Sequence, residues 1–173
     1  MNTHIHLSAE ASKYFNSQKD IKTAWIKCED GIHLLELVDN FSIDKKLLSL
    51  VKGNIARIVI HLIYDKSRKK EIKAAIAFGI GKITEKKLRK IYRATDFFRS
   101  SMYADSAADD AADINCNTFM VGMNVINAVC NAALKSGNDY TDIERKTRQD
   151  IADICRKYLT DAVFEIIDNI RSL

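Results

Sequence analysis

The chain has 173 residues, 47% apolar and 29% charged, with a net charge of +4, 6 glycines and no proline. That length and apolar content suit one well-buried domain, leave little room for two, and exclude a disordered chain. Without glycine- and proline-rich turns a sheet protein is disfavoured, so the expected class is all-α: a single-domain helical bundle over 1–173, with about six to eight helices and long central and C-terminal ones.

The opening MNTHIHLSAE has neither a basic n-region nor an apolar h-region, so no secretory signal is expected. The most apolar run, 55–64, is interrupted by Arg57 and His61 and is too short to span a bilayer. A soluble, cytoplasmic protein without membrane contact is the expectation.

Residues 20–28 (DIKTAWIKC) predict a short helix with Ile21, Ala24, Trp25 and Cys28 on one side, and 32–38 predict a second after the turn signal Asp30-Gly31. Ser42 is placed as the N-cap of a helix over 43–64, whose apolar positions follow a 3.6-residue period. Trp25, Leu34 and Leu35 are expected to pack on it. Ser67 opens the next helix, which stops at Gly79-Ile80-Gly81.

Thr84 caps a helix with Leu88, Ile91, Thr95, Phe98 and Met102 on one face. The same spacing resumes at Cys116, Phe119, Met123, Ile126 and Cys130. Between the two lies DSAADDAADINCN, which sets Asp105, Asp109 and Asp113 four residues apart and adds Asp110, all among alanines. In an unbroken helix these aspartates continue the core stripe. Unpaired buried carboxylates are too costly to keep, so a break near 100–104 is expected. Ser136-Gly137-Asn138 is a stop, and Thr141-Asp-Ile-Glu144 reads as a capping box for a last helix, with a possible break at Thr160.

Cys28, Cys116, Cys130 and Cys155 show no CxxC spacing. With Cys116 and Cys130 on one helix, fourteen residues hold them about 21 Å apart, beyond disulfide reach. Free structural thiols are expected.

Charge is unevenly spread. Residues 65–93 hold 11 Lys/Arg and 3 Asp/Glu, a net +8, whereas 94–144 hold 2 and 8, a net −6. Lys69, Lys70, Lys86, Lys87 and Lys90 could track phosphates, but Phe78 and Tyr92 beside them fall on apolar faces rather than on a stacking platform. A basic face pairing with the acidic segment fits better. The aspartates themselves read as a solvated face, as ion-pair partners of Arg145, Arg148 or Arg156, or as a surface for a basic partner. A metal-dependent hydrolase using them is a third class of function. His4 and His6 form an isolated HxH, His33 stands alone, and His61 reads as a core or boundary histidine. No nucleophile elbow, zinc motif or phosphate-binding loop occurs, so neither a catalytic residue nor a cofactor or metal is implied.

One pattern is more specific. AWIKCEDGIHLLELVDNFSIDKKLLSLVKGNIARIVIHL, over 24–62, resembles a signature of bacterial immunity proteins of polymorphic-toxin systems. The matching residues are Ala24, Cys28, Gly31, Leu34, Leu35, Asp44, Leu47, Leu48, Ala56 and Arg57. A helix over 72–78, an alanine-rich stretch over 103–112 and a closing helix over 150–159 extend the likeness to 21–159. It departs at Ile32-His33, where a tryptophan is expected, and after Ala112, where the alanines thin out.

The resemblance implies an all-helical, non-catalytic protein that neutralises a toxin. The partner is then a protein, such as a basic toxin domain meeting Asp105, Asp109, Asp110 and Asp113. The alternative is a nucleic-acid-binding protein using 66–93. Replacing Asp109, Asp110 and Asp113 together by Asn is expected to leave stability nearly unchanged.

Overall fold

The computed structural model describes residues 6–94 and 102–171. Among them the chain is all-helical, with no strand. In order come α1 (Ala9–Asn16), α2 (Ile21–Lys27), α3 (Gly31–Val38), α4 (Lys45–Ala56), a 3₁₀ segment (Arg57–Leu62), α5 (Lys66–Gly79), α6 (Glu85–Arg93), α7 (Tyr103–Ala112), α8 (Thr118–Lys135) and α9 (Thr141–Arg171). No helix among the described residues is long and apolar enough to cross a membrane.

Side-chain caps set most of these boundaries. Ser8, Asp20, Asp30, Asp44, Asp65, Thr84 and Asn117 each accept a hydrogen bond from a backbone N–H two or three residues on, satisfying donors that the first helical turn leaves open. Several boundaries differ from those read in the sequence. The helix α1, capped by Ser8, went unforeseen because its eight residues bury only Ala11 and Phe15. Asp44, not Ser42, caps α4, since its carboxylate reaches the N–H groups of both Lys46 and Leu47. The expected helix over 43–64 tightens after Ala56 into 3₁₀ geometry, where Ile58-Val59-Ile60 crowd the preceding turn. His61 there is exposed rather than a core or boundary residue.

Met102 is extended and α7 starts just after it, within the region where a break was expected. Thr95 and Phe98, like His4, lie outside the described residues. A second break, unforeseen, separates α7 from α8 at 113–117. Cys116 therefore sits in a connection and does not share a helix with Cys130. All four thiols are free. Thr141 is the first residue of α9 rather than its cap. Asp139 accepts hydrogen bonds from the Thr141 N–H and hydroxyl, and the helix runs through Thr160 unbroken.

The 31-residue α9 is the spine, with α2, α3, α4 and α8 packed against it. Trp25 is fully buried, but on α9 rather than on α4, and its indole N–H donates to the Thr160 hydroxyl at 2.9 Å. Leu34 and Leu35 are equally buried, on a helix that packs against α8 and α9. Glycine makes two of these approaches possible. A Cβ on Gly31 would stand 2.5 Å from Ile151 Cγ2 and 2.6 Å from the Ala152 backbone nitrogen, and one on Gly122 would stand 2.6 Å from Leu35 Cδ1. Gly31→Ala should therefore destabilise the protein by about 1–3 kcal/mol through overpacking of α3 on α9. A denaturant midpoint that does not move would show that α3 can withdraw freely.

Candidate functional site

The alanines of α7 explain its position. Ala104, Ala107, Ala108, Ala111 and Ala112 are all buried, so one face of the helix is nearly flat and sinks among α4, α5, α6 and α8. The opposite side carries the aspartates. Asp105, Asp109, Asp110 and Asp113 are all half-buried, neither sealed in the core nor on a fully solvated face.

Two buried cations from other helices meet this row. Arg68 of α5 is 6% exposed. Its Nη1 donates to Asp109 Oδ1 at 2.6 Å and to Glu71 Oε2 at 3.1 Å, and Glu71 is fully buried. Lys52 of α4, 1% exposed, donates from Nζ to the carbonyl oxygens of Asp113 and Cys116, tying down the α7–α8 connection. Burial lowers the Lys52 pKa, against the pull of Asp113, Asp110 and Asp39 nearby.

The remaining aspartates differ in environment. Asp110 accepts a hydrogen bond from Asn124 at 2.7 Å, yet burial raises its carboxyl above the usual range. Asp113 accepts from the Asn115 N–H. Among the described residues, Asp105 Oδ1 is buried without a hydrogen-bond partner. Tyr92 of α6 faces the same carboxylates; burial first, and then Asp109, Asp113 and Asp110, push its phenol to about 12. Behind the row, Asp39 at the end of α3 accepts from the Thr118 N–H, the Thr118 hydroxyl and the Phe119 N–H, a carboxylate placed on the positive end of α8.

Of the pairing expected between the basic and acidic segments, Arg68–Asp109 is the salt bridge formed among the described residues. The arginines of α9 serve elsewhere. Arg145 pairs with Asp142, Arg148 bridges Asp30 and Glu144, and Arg156 holds Asp153 and the Cys28 carbonyl. Sequence spacing along 105–113 could not reveal Arg68 or Lys52, because both arrive from helices more than forty residues away. Asp109 therefore contributes to folding, and the triple Asn replacement is no longer expected to be neutral.

Asp110 has a specific pH signature. Because its pKa is raised in the folded state, the unfolded chain ionises first as pH climbs through the ordinary aspartate range. The group thus weakens folding above that range and has no effect below it. Asp110→Asn should raise the thermal midpoint at pH 7 and leave it unchanged near pH 3. An equal midpoint at pH 7 would contradict the assignment.

The basic residues are distributed differently. Lys70, Lys86, Lys87 and Lys90 are exposed and Lys69 is half-buried, and none of them forms an ion pair among the described residues. Phe78 is buried and Tyr92 half-buried, so neither offers a face to a nucleobase. Burial raises the pKa of every thiol, Cys28 to about 11 and Cys116 to about 12, which leaves each a poor nucleophile. Among the described residues no three His, Cys, Asp or Glu side chains are grouped to hold a metal ion. No protein-family model matches the chain, and comparison with curated proteins and with solved structures gives no significant match.

Proposed function

We propose that this chain is a non-catalytic binding protein of the immunity type, which neutralises a toxin by covering a basic surface with the acidic side of α7. The observation that carries this reading is the half-burial of Asp105, Asp109, Asp110 and Asp113 on a helix whose other face is alanine. Such carboxylates keep solvent access, yet Arg68 and Asn124 fix two of them in place. A partner then finds the charges already positioned and loses little side-chain entropy in meeting them. Opposite charge accelerates encounter, in a salt-dependent way. The likeness over 21–159 to immunity proteins points in the same direction.

The test is co-expression with the product of the adjacent gene. Growth protection and a complex that survives size-exclusion chromatography are the expected results. Asp110→Asn/Asp113→Asn, which leaves the Arg68 contact intact, should slow association about tenfold at low salt and flatten its salt dependence. Unchanged association kinetics would remove α7 from the interface.

Lys70, Lys86, Lys87 and Lys90, exposed and without an ion pair among the described residues, support a second reading, a nucleic-acid surface on α5 and α6. A salt-sensitive mobility shift with duplex or single-stranded probes, lost on charge reversal of Lys86 and Lys87, would favour it over the first.

A further inference from the structure

A concavity of about 360 Å³ opens where the end of the 3₁₀ segment meets the start of α7 and the last turns of α8. Its lining combines small residues with large ones. Ala104, Ala128 and Ala132 leave space where longer side chains would fill it, and Tyr64 and Tyr103 also line it. Tyr64 is 88% exposed and Tyr103 43%, so neither ring is spent on the core. Single exposed aromatics are ordinary, but two of them lining one concavity with three alanines match the apolar lining of small-ligand sites between helices.

The polar groups at the rim narrow the chemistry. Lys135 supplies the only formal charge among the described lining residues, and Asn131 adds an amide. Neither side chain, nor the hydroxyl of Tyr64 or Tyr103, takes part in a hydrogen bond or ion pair among the described residues. A lone ammonium with neutral donors around it balances one negative charge. It under-compensates a phosphate dianion and repels an amine.

We propose that this groove binds a small carboxylate carried on an aromatic or branched aliphatic body, with the acid at Lys135 and Asn131 and the body between the two tyrosines over the alanines. The four aspartates of α7 do not line it, so the site stands or falls apart from the toxin-binding reading.

The experiment titrates 3-phenylpropionate into the full chain and follows backbone amide shifts by NMR, with 3-phenylpropanamide as the uncharged control. Saturable shifts confined to the ends of α8 and α7 and to 62–64 are expected, with a Kd of about 1 mM or tighter. The amide should bind roughly tenfold more weakly, as loss of a charge-assisted hydrogen bond requires. Lys135→Ala should erase the difference between acid and amide, and Ala132→Phe should fill the groove and abolish binding. The same spectra report whether each variant is folded. Absence of saturation, shifts centred elsewhere, equal affinity for acid and amide, or undiminished binding to both variants overturns the proposal.

Discussion

Arg68→Ala is expected to destabilise the protein by about 3–5 kcal/mol, the range for breaking a buried ion pair by removing one partner. The guanidinium is 6% exposed and holds two carboxylates, one of them on a fully buried residue. Replacing the pair wholesale with apolar groups can be neutral, but removing the cation alone strands negative charge in a poor solvent. Arg68→Lys should fall between, since it keeps the charge and loses the planar fork. Urea unfolding of both variants at pH 7 measures this. A loss below about 1 kcal/mol at pH 7, typical of a surface pair, would mean that water reaches the cluster freely.

Trp25→Ala should have an effect of similar size, about 3–5 kcal/mol, for a different reason. The side chain is wholly buried against α9 and its N–H is satisfied by Thr160. Removal leaves a large void on the longest helix and frees the Thr160 hydroxyl from one of its two bonds. Trp25→Phe should cost about half as much, because most of the apolar area survives while the hydrogen bond does not. As the chain has one tryptophan, the variants must be followed by circular dichroism rather than by intrinsic fluorescence. A small loss for Trp25→Ala would show that α2 is peripheral to the fold.

Periodicity made the helices legible where apolar residues recur over several turns, as in α3, α5 and the body of α8. Thr84, followed by a run of strongly amphipathic sequence, marked the start of α6, but not its end at Arg93, which the stripe through Met102 overran. Legibility failed where the deciding group is short-ranged or remote. The eight-residue α1 is capped by one serine and buries too few side chains to show a period. The break at 113–117 is concealed because Ala112 and Cys116 keep helical spacing across it, while Lys52 fixes the loop from α4. At the candidate site the aspartates and the charge asymmetry were visible in the sequence. The contacts that fix them were not, since Arg68 and Lys52 reach the row from remote helices. Trp25 shows the same limit: its burial follows from composition, but its choice of α9 over α4 follows from the topology.

The carboxylate of Asp39 finds its partners 79 and 80 residues later in the chain. On a ribosome adding roughly 5–20 residues per second, α3 would emerge several seconds before the α8 N-terminus that it anchors, and longer still before α9, on which Gly31 rests. Through that interval α3 has α1 beside it but lacks α8 and α9, its main partners. Closure of this part of the core therefore waits for the C-terminal half of the chain, later than in a bundle of sequential hairpins of equal length.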